Sequence, residues 1–369
     1  MRVETKKLKE CLKKLNLFRY SERYHPTFLN ILIEVKKNSF TLTVQSPTGY
    51  LKVNCSTTLS DKEFSFLVNQ KDFTELISKI KDKEISIDVV DETIKIELNN
   101  QTVFNLHTSD DVISFPEIEK AKFENYIEMK GEDFQELVKQ TYFATSQAKT
   151  RYDLDNIQIE IKADGVKFVA TDGVRLAICK KPCNLFGNIE GNKVVPASVL
   201  EKMSKVVKIE KSETVVIGFS ESRVYLQTED SLASIRLTDA KFPSYERVIP
   251  DDLIDLCEVE GKVLSENLQL LFSKDELKTE RVEIVFSDFN ICLVKNEKTN
   301  ITLNMYRSNF NLSIVFSPAL LLDYLKLNPG RIKVKGKDDQ TVLSFTNESG
   351  GYFLCIPIKI TKIKEQSSE

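Results

Sequence analysis

The chain has 369 residues, of which 41% are hydrophobic and 29% are charged, and its formal net charge is −3. This composition is typical of a globular protein with two or three domains, and it excludes a disordered or fibrous chain. The slightly acidic total argues against a protein that grips nucleic acid with its whole surface.

The N-terminal stretch MRVETKKLKECLKKL is polar and amphipathic, which does not fit a signal peptide. No segment approaches the ~20 consecutive apolar residues of a membrane-spanning helix. We therefore expect a cytoplasmic protein.

A strand that runs into a short amphipathic helix occurs three times along the chain. The three segments are VETKKLKECLKKL from Val3, IEMKGEDFQELVKQT from Ile127 and CEVEGKVLSENLQLLF from Cys257. Apolar residues recur in each at helical spacing, as Leu8, Leu12 and Leu15 do in the first.

A second helix of the same kind follows each of the first three. These segments are FLVNQKDFTELISKI from Phe66, KVVPASVLEKMSKVV from Lys193 and SIVFSPALLLDYLKL from Ser313. Alternating patterns such as EISIDVV and TIKIEL predict strands around them.

A repeat of roughly 125 residues is too long for a solenoid unit and fits a self-standing domain. The sequence therefore predicts an α+β fold of three repeated domains, at residues 1–122, 123–250 and 251–369, each with two helices packed on antiparallel sheets.

The stretch KFVATDGVRLAIC, residues 167–179, predicts a β-hairpin. Its Asp-Gly pair at 172–173 favours a tight two-residue turn. Such a turn does not require Thr171, Arg175 or Leu176, so these residues invite a functional interpretation.

Cysteines and histidines offer little chemistry in this sequence. The seven cysteines are scattered and form no C-x-x-C pair, so we predict reduced thiols rather than disulfides. Cys179 and Cys183 are close together in CKKPC, but no cluster of further ligands completes a zinc site. His25 and His107 stand far apart, and no glycine-rich phosphate loop is present. We therefore predict no cofactor, no metal and no catalytic residue.

An enzymatic alternative depends on acidic residues. Asp164 and Asp172 could hold a metal ion in a metal-dependent nuclease. Acidic residues of this kind are more often turn residues or members of a solvated face.

Basic residues are concentrated on some of the predicted helices and on one late segment. The first helix carries Lys6, Lys7, Lys9, Lys13 and Lys14. Later members are Lys202, Lys205, Lys208, Lys326, Arg331, Lys333, Lys335 and Lys337. They form either solvated faces or a basic inner surface that attracts phosphates without reading bases.

Four short segments are distinctive in combination. They are RYDLDNI from Arg151, VATDGVRLA from Val169, FPSYERVIP from Phe242 and FLCIPIKI from Phe353. Their order and spacing, together with the threefold repeat and the chain length, resemble those of the bacterial sliding clamp family, the β subunit of DNA polymerase III. The resemblance covers the whole chain.

This resemblance implies three DNA clamp domains in each chain and a head-to-tail homodimer that closes a ring around duplex DNA. Helices would line the hole, and weak, water-mediated phosphate contacts would suit sliding. The implied function is a processivity factor that binds DNA polymerase III, the clamp loader and repair proteins through their short linear motifs. No active site and no membrane partner are implied.

The resemblance also implies a peptide-binding pocket. Carried over position by position, its wall consists of Leu154, Thr171, Gly173, Val174, Arg175, Leu176, Pro243, Arg247, Val248, Leu354, Ile356, Pro357, Ile358, Lys359 and Ile360. The aliphatic members offer a slot for leucine or phenylalanine, and the two arginines can flank it with hydrogen-bond donors and aliphatic stems.

Dimer and DNA contacts follow from the same resemblance. Phe104 and Leu106 match apolar interface positions of the first domain, and Leu271 and Phe272 match those of the third. The expected DNA-contacting residues are His25, Lys149, Arg151, Tyr152, Lys9, Lys13, Lys202 and Lys205.

The chain departs from the family pattern near the implied pocket. Val174 stands where the family commonly has histidine, and IPIKI replaces a methionine-rich ending. We therefore expect stiffer walls and a more apolar peptide preference. A polar tail at 361–369 runs past the family's usual end. A divergent second clamp and a monomeric peptide-binding relative stay open as alternatives.

Overall fold

In the computed structural model the chain forms two compact units. The structure describes residues 1–19, 26–37, 39–55, 58–60, 62–90, 92–99, 102–108, 112, 115, 124–146, 154–237, 239–287, 290–304, 312–338 and 342–358. The first unit consists of Met1–Gln135, Cys183–Glu190 and Val199–Thr238, and the second of Glu136–Pro182, Gly191–Ser198 and Asp239–Glu369. Within the described ranges, no helix is both long and apolar enough to span a membrane.

α-Helices stand at all six positions that the repeat predicts, and one additional turn is α-helical. In the described residues the α-helices are α1 (Thr5–Asn16), α2 (Gln70–Lys79), α3 (Gly131–Tyr142), α4 (Ala197–Glu210), α5 (Gly261–Leu271), α6 (Glu276–Thr279) and α7 (Pro318–Leu327). The additional turn is α6. Short 3₁₀ helices lie at Pro26–Leu29 and Tyr245–Val248. The first helix shows why periodicity predicted these elements, since its apolar residues Leu8, Leu12 and Leu15 are all buried.

The first unit contains two sheets. The five-stranded sheet has the order β5 (Thr58–Leu59), β1 (Arg2–Glu4), β7 (Glu84–Val90), β8 (Thr93–Glu97), β9 (Val103–His107). The nine-stranded sheet has the order β14 (Asn184–Phe186), β10 (Asn125–Lys130), β16 (Thr214–Phe219), β17 (Arg223–Gln227), β18 (Ser231–Arg236), β4 (Gly49–Cys55), β3 (Ser39–Ser46), β2 (Asn30–Lys36), β6 (Phe64–Asn69).

The second unit also contains two sheets. The eight-stranded sheet has the order β15 (Gly191–Pro196), β11 (Asn156–Lys162), β12 (Gly165–Thr171), β13 (Arg175–Lys181), β26 (Gly351–Cys355), β25 (Leu343–Asn347), β24 (Arg331–Gly336), β19 (Ile254–Glu260). The four-stranded sheet has the order β22 (Thr299–Asn304), β21 (Asn290–Asn296), β20 (Val282–Ser287), β23 (Leu312–Phe316). The neighbouring strands of all four sheets are antiparallel, which confirms the predicted α+β class.

Two strand pairs join different predicted domains within one sheet. In the first unit β4 pairs with β18, and in the second unit β13 pairs with β26. The three predicted domains therefore share sheets, and the boundaries at 1–122, 123–250 and 251–369 stay a prediction.

The same backbone hydrogen bond begins the first helix of each repeat. The helix's first N–H donates to a carbonyl that follows the second helix, in the pairs Thr5 to Lys83 (2.9 Å), Gly131 to Glu213 (2.8 Å) and Gly261 to Gly330 (2.8 Å). In the second and third repeats the start of the helix and the segment after the second helix come so close that no side chain fits between the two backbones. A Cβ at Gly131 would collide with the backbone oxygen of Ser212, and one at Gly261 with that of Asn328.

Gly261→Ala should therefore lower the free energy of unfolding by about 1–3 kcal/mol, because the backbone must shift to admit the methyl group. Gly330→Ala is the matched control, since a Cβ there meets no atom within 4 Å. The control should stay within about 0.5 kcal/mol of wild type. Urea unfolding followed by circular dichroism measures both variants, and equal stability of the two would contradict the close approach.

Candidate functional site

The tip of the hairpin between β12 and β13 is organised by one carboxylate. Three residues, Asp172–Val174, join the strands, and Gly173 has a φ of 90°, where glycine is favoured. The Asp172 Oδ1 atom accepts the backbone N–H groups of Val174 and Arg175, each at 3.0 Å. The predicted two-residue turn is therefore wrong, because a side-chain acceptor closes a longer one.

The last described strand lies directly beside this hairpin. Leu176 of β13 is opposite Leu354 of β26, and the Ile356 N–H donates to the Val174 carbonyl at 3.0 Å. The hairpin and the segment near the C-terminus, both of which the resemblance assigns to the peptide-binding pocket, are thus neighbours in one sheet.

A cleft of about 220 Å³ opens next to these two strands. It is lined by Leu154, Thr171, Gly173, Arg175, Leu176, Pro243, Ser244, Tyr245, Val248, Val342, Leu354 and Ile356. Buried and exposed residues divide its surface into a floor and a rim. Leu176, Tyr245 and Leu354 belong to a buried core cluster, whereas Val248 and Ile356 are 49% and 43% exposed.

Arg175 contributes a fixed wall to the cleft. Its side chain is 9% exposed, its Nε donates to Asp172 Oδ2 at 2.9 Å, and its Nη1 donates to Asp323 Oδ2 at 2.7 Å. The guanidinium carbon also lies 5.4 Å from the centre of the Phe143 ring. Two carboxylates and an aromatic ring therefore hold the guanidinium, and the aliphatic part of the Arg175 side chain is available to contact a ligand in the cleft.

Tyr245 in the floor is anchored by the ion pair of Lys167 with the buried Glu160. Its hydroxyl donates to Glu160 Oε1 at 2.6 Å, and Lys167 Nζ lies 2.6 Å from Glu160 Oε2. Gln158 adds a hydrogen bond to Glu160 Oε1 at 2.9 Å. The first residue of the 3₁₀ helix Tyr245–Val248 is thereby tied to two neighbouring strands, β11 and β12.

The anchoring also sets the ionisation of both partners. Burial opposes the charge on Glu160, but hydrogen bonds from Lys167, Tyr245 and Gln158 outweigh it and lower the pKa of this carboxyl. Burial and the adjacent Glu160 carboxylate raise the pKa of Tyr245. The pair is a carboxylate and a neutral phenol at neutral pH.

Nine of the fifteen residues assigned by resemblance line the cleft. The described residues of that set that do not line it are Val174, Arg247, Pro357 and Ile358. Lys359 and Ile360 lie outside the described residues. Sequence reasoning missed Ser244, Tyr245 and Val342. The first two stand inside the quoted FPSYERVIP segment, so extending the assignment along it would have found them.

The four predicted interface residues differ in exposure. Phe104 and Leu106 are partly exposed on β9, an edge strand of its sheet. Leu271 and Phe272 are only 6% and 3% exposed within their own unit. The preceding residue, Leu270, is 78% exposed. The interface assignment stays a prediction.

The predicted DNA-contacting lysines have different environments. Lys13 is exposed, whereas Lys9 Nζ donates to the Ile80 carbonyl at 2.6 Å. Lys202 Nζ lies 5.4 Å from the centre of the Phe18 ring. Lys205 forms an ion pair with Glu201. His25, Lys149, Arg151 and Tyr152 lie outside the described residues.

The acidic pair of the nuclease alternative is engaged elsewhere. Asp172 closes the hairpin turn, and Asp164 forms an ion pair with Lys180. Throughout the ranges that the structure covers, no three His, Cys, Asp or Glu side chains group as metal ligands would.

The fold is that of solved sliding clamps. The DNA polymerase III β subunit of Thermotoga maritima is 22% identical, with a TM-score of 0.87 over 97% of this chain and 99% of that chain. A Pseudomonas aeruginosa sliding clamp bound to griselimycin is 18% identical, with a TM-score of 0.89 over 98% of this chain and 99% of that chain.

Sequence comparison supports the same class. Family models described as DNA polymerase III beta subunit match residues 1–119 as its N-terminal domain and 128–244 as its central domain, together more than half of the chain. The β sliding clamp of Rickettsia felis is 24% identical over 70% of this chain and 72% of its own length, and that of Bacillus subtilis is 24% identical over 69% and 70%. The chain belongs to the family of bacterial DNA polymerase III β subunits, the sliding clamps, which are processivity factors rather than enzymes.

The Glu160 carboxylate should make stability depend on pH. Because its pKa is lower in the folded than in the unfolded chain, its contribution is present above the ordinary glutamate pKa and is lost as pH falls through the folded value. Glu160→Gln should lower the free energy of unfolding by about 1–3 kcal/mol at neutral pH, and by less near pH ~3.

Chemical unfolding at a series of pH values tests this expectation. Glu190→Gln, at an exposed position, is the control and should keep the wild-type pH dependence. If Glu160→Gln lowered the free energy of unfolding by the same amount at every pH, the assigned role of the charge would be contradicted.

Proposed function

We propose that this chain closes a head-to-tail homodimeric ring around duplex DNA in the bacterial cytoplasm. In this proposal the ring tethers the replicative polymerase, the clamp loader and repair proteins by their short linear motifs. Each chain contributes three clamp domains, at 1–122, 123–250 and 251–369. The observation that carries the proposal is the apolar cleft beside β13 and β26, at positions that the resemblance assigns to motif binding.

The size and lining of the cleft support a peptide ligand. A volume of about 220 Å³ is below the usual range for cofactor sites, and it suits one or two apolar side chains of an extended segment. Leu154, Val248 and Leu354 supply aliphatic surface for leucine or phenylalanine anchors. Thr171 and Ser244 also line the cleft, and the Thr171 hydroxyl is engaged within the hairpin, where it donates to the Arg175 carbonyl at 2.7 Å.

The rigidity of the walls also supports recognition of short motifs. The contacts of Arg175 with Asp172 and Asp323 fix one wall, and the contacts of Tyr245 with Glu160 fix the floor. Because the cleft is preformed, it loses little conformational entropy when a flexible peptide binds. This favours the affinity of short motifs, in which few residues make contact.

Topology rather than tight contact holds the DNA in this proposal. Exposed Lys13 and Lys205 can attract phosphates without reading bases. His25, Lys149, Arg151 and Tyr152 are proposed as further contacts on the basis of the resemblance alone.

An edge strand supports the proposed dimer. β9 ends its five-stranded sheet, and it carries partly exposed Phe104 and Leu106. Edge strands with apolar side chains are ready to pair with a strand of a second chain. We propose that the opposing surface is formed around Leu271 and Phe272.

Val248→Asp tests the cleft. A charge at this exposed rim position should weaken binding of a fluorescent QLxLF-type peptide at least about tenfold, because it would have to be desolvated against an apolar anchor. Val90→Asp changes a valine of similar exposure, 42%, and should leave the affinity unchanged. Fluorescence anisotropy measures both, and equal affinities would refute the assignment of the cleft.

Phe104→Asp tests the ring. The wild-type protein should have the mass of a dimer in light scattering, stay on nicked circular DNA after loading, and slide off once the circle is cut. The variant should have the mass of one chain and lose retention on the circle, because a charge would have to be buried at the interface. It should keep wild-type affinity for the peptide, which separates loss of the dimer from unfolding. A monomeric wild type would leave only the peptide-binding alternative, and equal retention on circular and linear DNA would contradict topological binding.

A further inference from the structure

Two cysteines from different elements of the first unit lie in contact. Cys11 stands in α1 and Cys55 ends β4. Their Sγ atoms are 3.4 Å apart, with Cys11 as donor, and each residue is 4% exposed. A small shift of one side chain would bring two sulfurs at this separation within bonding distance.

The surroundings of the pair favour a reactive sulfur. Lys7 and Lys14 stand one helical turn before and after Cys11, so both face the same side of α1 as the thiol. Lys14 is 5% exposed and pairs with Glu210 at 2.8 Å and Asp230 at 3.9 Å. The charges that act on the Cys55 thiol are thus two cations, Lys7 and Lys14, and one carboxylate, Asp230.

The two thiols are not equivalent in this environment. The hydrogen bond from Cys11 lowers the pKa of Cys55, against its burial, and the charges of Lys14 and Lys7 lower it further while Asp230 opposes them. The same contact raises the pKa of Cys11. Of the two touching sulfurs, Cys55 is therefore the one that ionises more readily. By contrast, burial raises the pKa of Cys257 to about 12.

We propose that Cys11 and Cys55 form a reversible oxidation site that a hydroperoxide converts to a disulfide. The Cys55 thiolate attacks one oxygen of hydrogen peroxide, the O–O bond breaks, and the second oxygen leaves as hydroxide, which takes up a proton to become water. Cys11 then attacks the sulfenic sulfur, the S–O bond breaks, and the proton of Cys11 leaves with the hydroxyl as a second water. Two thiols are oxidised by two electrons, and one peroxide is reduced to two waters.

The disulfide would tie α1 to the nine-stranded sheet across a sequence separation of 44 residues. Closing a loop of this length restricts the unfolded chain more than the folded one, in which the sulfurs already touch. The oxidised protein should therefore unfold at a higher temperature, with Tm raised by about 5–10 °C.

Treatment of the full chain with a small excess of hydrogen peroxide tests the site. The protein is then unfolded and alkylated, and its peptides are identified by mass spectrometry without reduction. The expected product is a cross-linked peptide pair containing Cys11 and Cys55, lighter than the two free peptides by two hydrogens. Dithiothreitol should restore both thiols and the original Tm.

Two variants separate this site from general thiol oxidation. Cys55→Ser should lose both the cross-link and the rise in Tm, whereas Cys183→Ser, at a partly exposed cysteine, should keep both. The wild-type peptide map decides the question even if Cys55→Ser fails to fold. Oxidation of Cys183 or Cys292 with Cys11 and Cys55 still alkylatable would overturn the proposal.

Discussion

The pairing of β13 with β26 is the constraint on which the cleft depends. It places Leu176 opposite Leu354, two residues that are far apart in the sequence. Because side chains alternate along a strand, a slip of β26 by one residue would turn Leu354 to the face of the sheet opposite to that of Leu176. The core cluster of Val169, Leu176, Tyr245 and Leu354 opposes such a slip, since it would lose its apolar contacts. The same side chains thus stabilise the sheet and form the floor of the cleft.

Buried charges explain why the cleft presents mainly apolar surface. Glu160 and Arg175 are both buried, and an unpaired charge in either place would be costly. Each is satisfied within the chain, Glu160 by Lys167 and Tyr245, and Arg175 by two carboxylates. The Glu160 carboxylate and the Arg175 guanidinium are therefore already hydrogen-bonded within the chain before a ligand binds. This arrangement suits a docking slot for apolar side chains and leaves little polar chemistry for catalysis.

The extent to which sequence predicts this structure depends on how local each signal is. Helices such as α1 and α5 could be predicted because apolar spacing is a property of the segment itself. The length of the hairpin turn could not be predicted in this way. An Asp-Gly pair usually indicates a two-residue turn, but here the Asp172 side chain accepts backbone N–H groups and stabilises a longer one. Tyr245 lies within the FPSYERVIP segment and could have been included, but its hydrogen bond to Glu160 of β11 could not be foreseen. The sequence left open whether Lys335 belongs to a solvated face or to a basic surface, and it did not indicate the ion pair with the cross-strand partner Asp255 on β19. Partners of this kind are set by sheet topology, which no local pattern contains.

Val174 shows how a clamp can vary a residue near the cleft without disturbing the floor. Its contact with Ile356 runs through the backbone carbonyl, so the hydrogen bond that extends the pairing of β13 and β26 is independent of the side chain. The side chain is 44% exposed and does not line the cleft. A different side chain at this position would therefore leave the register, the core cluster and the ion pairs as they are. Because the floor is held by interactions that also stabilise the sheet, differences in partner preference between clamps are expected at rim positions such as Val248 and Ile356.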